Sequence, residues 1–210
     1  YCYKDKYSVL KKNNNFRYFV RSLYFDSDFY NNYIEKIVGA NSRLKFRIRS
    51  YDEVLENAKY FNLEIKKRHG LLIFKEKEKI SISDYLYFIK NKRFKNIDSK
   101  IKEIFSYKYL TNEIKPLTIV DYFREAYFDK AMSNVRISID HEISYAKSTD
   151  IFYKRKNLIR DKENKIILEI KSDKNNIKWV TNMIKNLNLV SEKNSKYSNS
   201  FEHVIDDCWK

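Results

Sequence analysis

A chain of 210 residues, 43% hydrophobic and 34% charged, is long and apolar enough to bury a core, which excludes global disorder. Its 43 Lys and Arg against 28 Asp and Glu leave a formal net charge of +15, which favours anionic partners such as nucleotides, polyphosphate, nucleic acid or acidic lipid. The same Lys-, Asn-, Ile- and Tyr-rich composition is what an AT-rich genome produces, so total charge carries little weight and its placement decides.

In chain order, 16–25 (FRYFVRSLYF) is rich in aromatic and β-forming residues and reads as a strand. Asp26-Ser27-Asp28 then offers N-cap side chains to a helix over 29–38, which Gly39 is placed to end in a left-handed conformation. The clearest strand is 43–51 (RLKFRIRSY). A short helix is expected over 52–61, and 63–68 with 71–80 form a hairpin around His69-Gly70. Ser81-x-x-Asp84 has capping-box spacing before a helix running to 92, and a second helix covers 97–109. Pro116 marks entry to a long strand at 118–128 (TIVDYFREAYF). Further strands lie at 134–140 (NVRISID) and 165–172 (KIILEIKS), with one more expected within 145–161. The 174–188 segment is an amphipathic helix carrying Trp179, Met183 and Ile184, read as packing, and 191–210 is polar. About seven strands with interspersed helices point to a single α+β domain.

Side chains alternate along a strand, and this sorts the charges. In 43–51, Arg43, Lys45, Arg47 and Arg49 share one face and Leu44, Phe46 and Ile48 the other. Neighbours on that face are about 6.6 Å apart and repel by roughly 2.5 kcal/mol at an effective dielectric near 20, so the face is either bathed in solvent or compensated by an anion. Glu64, Lys66 and Arg68 share a face, as do Lys75 and Lys77. Arg136, Ser138 and Asp140 oppose Val135, Ile137 and Ile139, and Glu169 and Lys171 oppose Ile166, Leu168 and Ile170. Arg124 lies mid-strand among aromatics, where a charge needs a partner. A flat sheet with helices on its apolar side satisfies this pattern, and so does a closed barrel with a charged lumen. The helix cations Lys90, Lys92, Lys95 and Lys100 read as solvated faces.

Cys2 and Cys208 form no disulfide framework, which points to a reducing, cytoplasmic compartment. His69, His141 and His203 fit no zinc spacing. No apolar run reaches the roughly 20 residues of a membrane helix, and no nucleic-acid-binding motif is present, so neither a membrane span nor nucleic-acid binding is expected.

The segments VRSLYFDS (20–27), YIEKIVG (33–39), RLKFRIRSY (43–51), LEIKKR (63–68), KPLTIVDYFREAY (115–127), NVRISID (134–140), IILEIK (166–171) and SKY (195–197) follow one another in an order specific to a known family. The chain resembles the VTC domain, the polyphosphate polymerase module of the vacuolar transporter chaperone complex and its bacterial relatives, within the triphosphate tunnel (CYTH-like) metalloenzymes. The resemblance implies an α+β fold with a closed antiparallel β-barrel of about eight strands and peripheral helices. It implies transfer of the terminal phosphate of ATP to polyphosphate with Mn²⁺ or Mg²⁺. A triphosphatase and a non-catalytic polyphosphate- or inositol-phosphate-binding module are the alternatives. Arg47, Arg49, Lys66, Arg124, Arg136 and Lys171 correspond to the catalytic basic residues. Lys36, Arg43, Lys45, Lys75, Ser195 and Lys196 correspond to further phosphate contacts, and Glu169 to the metal-binding glutamate. Family relatives commonly work beside a membrane channel, so association with a membrane through a partner is expected. Family members usually begin with a basic H-E-x-K-Y strand and a helix. Here only 1–15 precede Phe16, with YKDKY (3–7) echoing the motif, so one domain over 1–210 lacking its first strand and helix is expected, with a polar tail at 198–210.

Overall fold

The computed structural model of the chain describes residues 2–4, 17–129, 134–173 and 177–205. Among these residues nine strands form one antiparallel sheet: β1 (Cys2–Lys4), β2 (Tyr18–Asp26), β3 (Ser42–Ser50), β4 (Phe61–His69), β5 (Leu72–Ile80), β6 (Lys115–Asp129), β7 (Arg136–Lys147), β8 (Ile159–Arg160) and β9 (Ile167–Lys171). They run in the order β5-β4-β3-β2-β6-β7-β8, with β1 added to the end of β6 and β9 to β7. The expected closed barrel is overturned. Among the described residues β5 pairs only with β4, and β8 and β9 pair only with β7, so the sheet is open. The alternating faces that suited a barrel suit a curled open sheet equally, because alternation records that two faces differ and not whether the edges meet.

The curl is strong. Strands β4 and β9 are separated by β3, β2, β6 and β7, about 24 Å in a flat sheet. Yet the adjacent residues Ser195 and Lys196 bond Lys45 on β3 and Asp140 on β7, and the Lys66 ammonium on β4 feels both Glu169 and Lys171 on β9. The sheet is therefore a trough, and its register fixes what faces inward. Arg47 lies opposite Tyr24 and Glu64, Lys45 opposite Lys66, Lys66 opposite Lys75, and Ser138 opposite Glu169.

The apolar faces of β2, β3 and β4 turn outward onto two helices, α2 (Ile82–Asn91) and α3 (Lys100–Leu110). Phe25, Phe46, Ile48, Leu63, Phe88 and Phe105 are among the residues that bury this first core. Ser81 and Asp84 form the capping box expected of α2, and the Ser99 hydroxyl caps α3. A second core lies inside the trough. The segment read as polar contains α5 (Lys196–Val204), which follows α4 (Lys178–Asn186) and packs Tyr197, Phe201 and Val204 onto Tyr24, Val120 and Tyr145. The helix expected over 52–61 is only a 3-10 turn at Leu55–Asn57, and the extra strand within 145–161 is the two-residue β8. The expectation of a missing first strand and helix bears on the residues before Phe16, of which 2–4 are described and form the short strand β1 on β6, while 1 and 5–16 lie outside the described residues.

One acidic residue ties these layers together. Helix α1 (Asn31–Ile37) starts later than expected, with Tyr30 in the N-cap position at φ 57° and making no side-chain cap bond, while Ser27 and Asp26 reach forward to its first N–H groups. The Asp26 carboxylate accepts backbone N–H bonds from Ser27 (2.7 Å), Asn32 (2.9 Å) and Tyr33 (3.1 Å), and the Tyr197 hydroxyl of α5 donates to it as well. Gly39, at φ 72°, closes α1 in the left-handed region. Asp26→Ala strands several buried donors at once and is expected to lower stability by about 3 kcal/mol, read as a shift in urea midpoint with unchanged slope.

Candidate functional site

The wall of the trough formed by β3 carries Arg43, Lys45, Arg47 and Arg49 over about 20 Å. Arg47 donates through Nε to Glu64 Oε2 at 2.6 Å and through a terminal nitrogen to the Tyr24 hydroxyl at 3.2 Å. Lys75 approaches the other Glu64 oxygen at 3.2 Å. Arg49 donates to Ser22 Oγ at 3.0 Å. Glu64 is 1% exposed. Burial disfavours its charge, but Arg47, Arg49 and Lys75 more than compensate and hold its carboxyl down at about 2.

The opposite wall repeats this arrangement. Arg124 forks onto Asp140, with Nε to Oδ1 at 2.5 Å and a terminal nitrogen to Oδ2 at 2.7 Å. This is the partner that a mid-strand arginine requires. Lys196, at the first turn of α5, reaches Asp140 Oδ2 at 2.5 Å and lies 4.8 Å above the Tyr122 ring. Despite burial, Arg124 and Lys196 keep Asp140 below the ordinary carboxylate range. Glu169 is next to it, 3.6 Å from Arg124 and 3.2 Å from Lys171, and these two cations hold its carboxyl low against the effect of burial.

The N-terminus of α5 enters between the walls. Ser195 caps the helix by accepting from the Ser198 N–H and also accepts from Lys45 Nζ at 2.7 Å. The positive end of α5 thus adds to the cations already facing it. The two walls act on one another: burial opposes the charge of Lys66, as do Arg47 across the strand pair and Lys171 across the trough.

The structure therefore brings Lys45, Arg47, Arg49, Lys66, Lys75, Arg124, Glu169, Lys171, Ser195 and Lys196 into one connected cluster. Lys36 and Arg43 stand at its end, where both perturb Lys45. Arg136 lies at the far end of β7, in register with Lys171. Sequence reasoning gave no role to Glu64, Asp140 or Tyr24. The signal for the two acids was present, since each shares a strand face with basic residues. Tyr24 looked like one aromatic among many, and only its register opposite Arg47 separates it.

Cations outnumber carboxylates in this cluster, and Glu64 and Asp140 are already consumed by ion pairs. The arrangement suits a ligand with several closely spaced negative charges, because arginine forks match the oxygens of phosphate. Among the described residues no group of three or more His, Cys, Asp or Glu side chains is placed to hold a metal alone. Glu169 nevertheless fits a metal that shares phosphate oxygens and water, which is how Mg²⁺ is commonly held. Among the same residues no helix is long and apolar enough to cross a membrane.

A family model described as VTC domain matches residues 3–205. No curated protein matches the chain. Among solved structures, a Bacillus halodurans protein described as a candidate adenylate cyclase shares the fold at a TM-score of 0.56 and 12% identity, over 91% of this chain and 89% of its own. The PH1819 protein of Pyrococcus horikoshii OT3 aligns at a TM-score of 0.47 and 13% identity, over 89% and 82% respectively.

Proposed function

The chain belongs to the VTC domain family, and from that premise we propose that it is an ATP-dependent polyphosphate polymerase working in an open basic trough. The observation that carries this reading is the state of the buried carboxylates. Glu64 and Asp140 are both ionised and both locked onto arginines, so neither is free to take a proton from an attacking water. A site rich in cations and poor in bases favours transfer between phosphates, whose attacking oxygen is already an anion.

In the proposed reaction a terminal oxygen of the polyphosphate chain attacks the γ-phosphorus of ATP in line. A new P–O bond forms, the bond between the γ-phosphorus and its bridging oxygen breaks, and ADP leaves with that electron pair. Arg47, Arg49, Lys66 and Lys75 hold one stretch of phosphates, and Arg124, Lys171 and Lys196 hold the other. Their fixed charges neutralise the oxygens as negative charge spreads in the transition state. Glu169 would hold Mn²⁺ or Mg²⁺, which when bound supplies further charge neutralisation to the phosphoryl oxygens. Arg136, Lys36, Arg43, Lys45 and Ser195 steer the polymer at the ends of the trough.

Purified protein given ATP and Mn²⁺ is expected to release ADP and accumulate polyphosphate resolved on gels. Release of orthophosphate alone would assign the chain to triphosphate hydrolysis. Tight tripolyphosphate binding without turnover would make it a binding module. Glu169→Gln is expected to abolish the dependence of turnover on added metal while leaving thermal unfolding unchanged within a few degrees, since Glu169 is 40% exposed at its side chain.

A further inference from the structure

The β4–β5 hairpin ends in four consecutive large apolar residues that the fold leaves in water: Leu71 at 92% exposure, Leu72 at 60%, Ile73 at 57% and Phe74 at 53%. Hairpin tips elsewhere are ordinarily polar, and an exposed apolar patch of this kind marks an interaction surface. The tip is fixed in place. Gly70 adopts φ 57°, its N–H donates to the Asn41 carbonyl at 2.9 Å, and its own carbonyl accepts from Arg68 Nε at 2.8 Å. The bond to Asn41 sets the tip beside the loop that follows α1, where Val38 is 71% exposed. The apolar tip is collared by cations, with Lys67 directly opposite Phe74 and Arg68 opposite Ile73 in the hairpin register.

A second copy of the chain is a poor occupant. Antiparallel pairing of two β5 edges about a two-fold axis sets like faces together. Lys75, Lys77 and Lys79 would meet lysines, and Glu76 and Glu78 would meet glutamates, which opposes pairing. An apolar tip inside a basic collar has instead the two components of interfacial membrane binding: side chains for the acyl boundary and cations for acidic headgroups. We infer that the β4–β5 hairpin docks the protein onto an acidic lipid bilayer by inserting Leu71, Leu72 and Phe74 between headgroups that Lys67 and Arg68 neutralise. Arg68 shares the trough-facing side of β4 with Lys66 and pairs with Arg43, but Lys67 and Phe74 lie on the opposite face, so variants at Leu71, Phe74 and Lys67 test the contact apart from the proposed activity.

The test is flotation of the full chain with vesicles of phosphatidylcholine plus phosphatidylserine, and with vesicles of phosphatidylcholine alone. Binding is expected to the acidic vesicles and to fall with added salt. Leu71→Ser combined with Phe74→Ser should weaken it at least about tenfold, and Lys67→Glu about fivefold or more, with tripolyphosphate affinity unchanged in both as evidence of an intact fold. Absence of binding to acidic vesicles overturns the inference, as does binding that the serine pair leaves unaltered. So does sedimentation of the native chain as a dimer that the same pair converts to monomer, because the patch would then be a contact between copies.

Discussion

Arg47→Ala combined with Arg49→Ala is expected to weaken tripolyphosphate binding at least about 100-fold by calorimetry. Each guanidinium offers charge-assisted hydrogen bonds of about 1.5–3 kcal/mol, and a factor of ten corresponds to about 1.4 kcal/mol. The two arginines are neighbours on the trough-facing side of β3, so their contributions fall on the same stretch of ligand. Loss of Arg47 also strips Glu64 of its shortest contacts and leaves a buried carboxylate with Lys75 alone. Adding Glu64→Gln removes that charge and separates the two effects: stability should recover while affinity stays low. Retention of native affinity in the double arginine variant would remove these residues from the site.

The second large effect concerns pH. Burial alone would raise the Tyr24 phenol, but Arg47, Arg49 and Lys196 pull it down to about 8. Lys45 also falls to about 8, chiefly because burial disfavours its charge, with Tyr24 acting to raise it and Lys66, Lys36 and Arg43 to lower it. The signs agree. Above about pH 8 Tyr24 gains a negative charge and Lys45 loses a positive one, and both changes oppose an anionic ligand. Tripolyphosphate affinity should therefore fall as pH rises through this range, by up to about tenfold per pH unit for each coupled proton. Tyr24→Phe keeps the ring that packs on Tyr197 and removes one of the two protons. Its affinity should exceed that of the native chain increasingly above pH 8, and comparison of the two proteins cancels the ligand's own titration. Parallel curves would show that Tyr24 does not sense the ligand.

Much of this site is legible in the amino-acid sequence. Strand alternation placed Arg43, Lys45, Arg47 and Arg49 on one face, and that face does line the trough. Arg124 announced its need for a partner by its aromatic neighbours. The closed barrel was not legible, because the pattern along a strand carries no information about the strand it pairs with at the far edge. Helix α5 was missed for a different reason. Its apolar residues, Tyr197, Phe201 and Val204, are spaced among Ser, Asn, Glu and His, so mean polarity hid a face that is buried only because it fills the concave side of the sheet. Tyr24 and Asp140 take their importance from register, which local sequence does not express.

Helix α5 also sets the order in which the molecule can be completed. The first core needs little beyond residue 151, and its strands and helices are largely consecutive in the chain. Ser195 and Lys196 are delivered only by α5, and the contact between Tyr197 and Asp26 spans 171 positions. Closing so long a loop is slow compared with forming local hairpins. During synthesis the outer layer can therefore stand folded while the trough lacks the helix that completes it, and competence to grip phosphate waits until α5 has emerged.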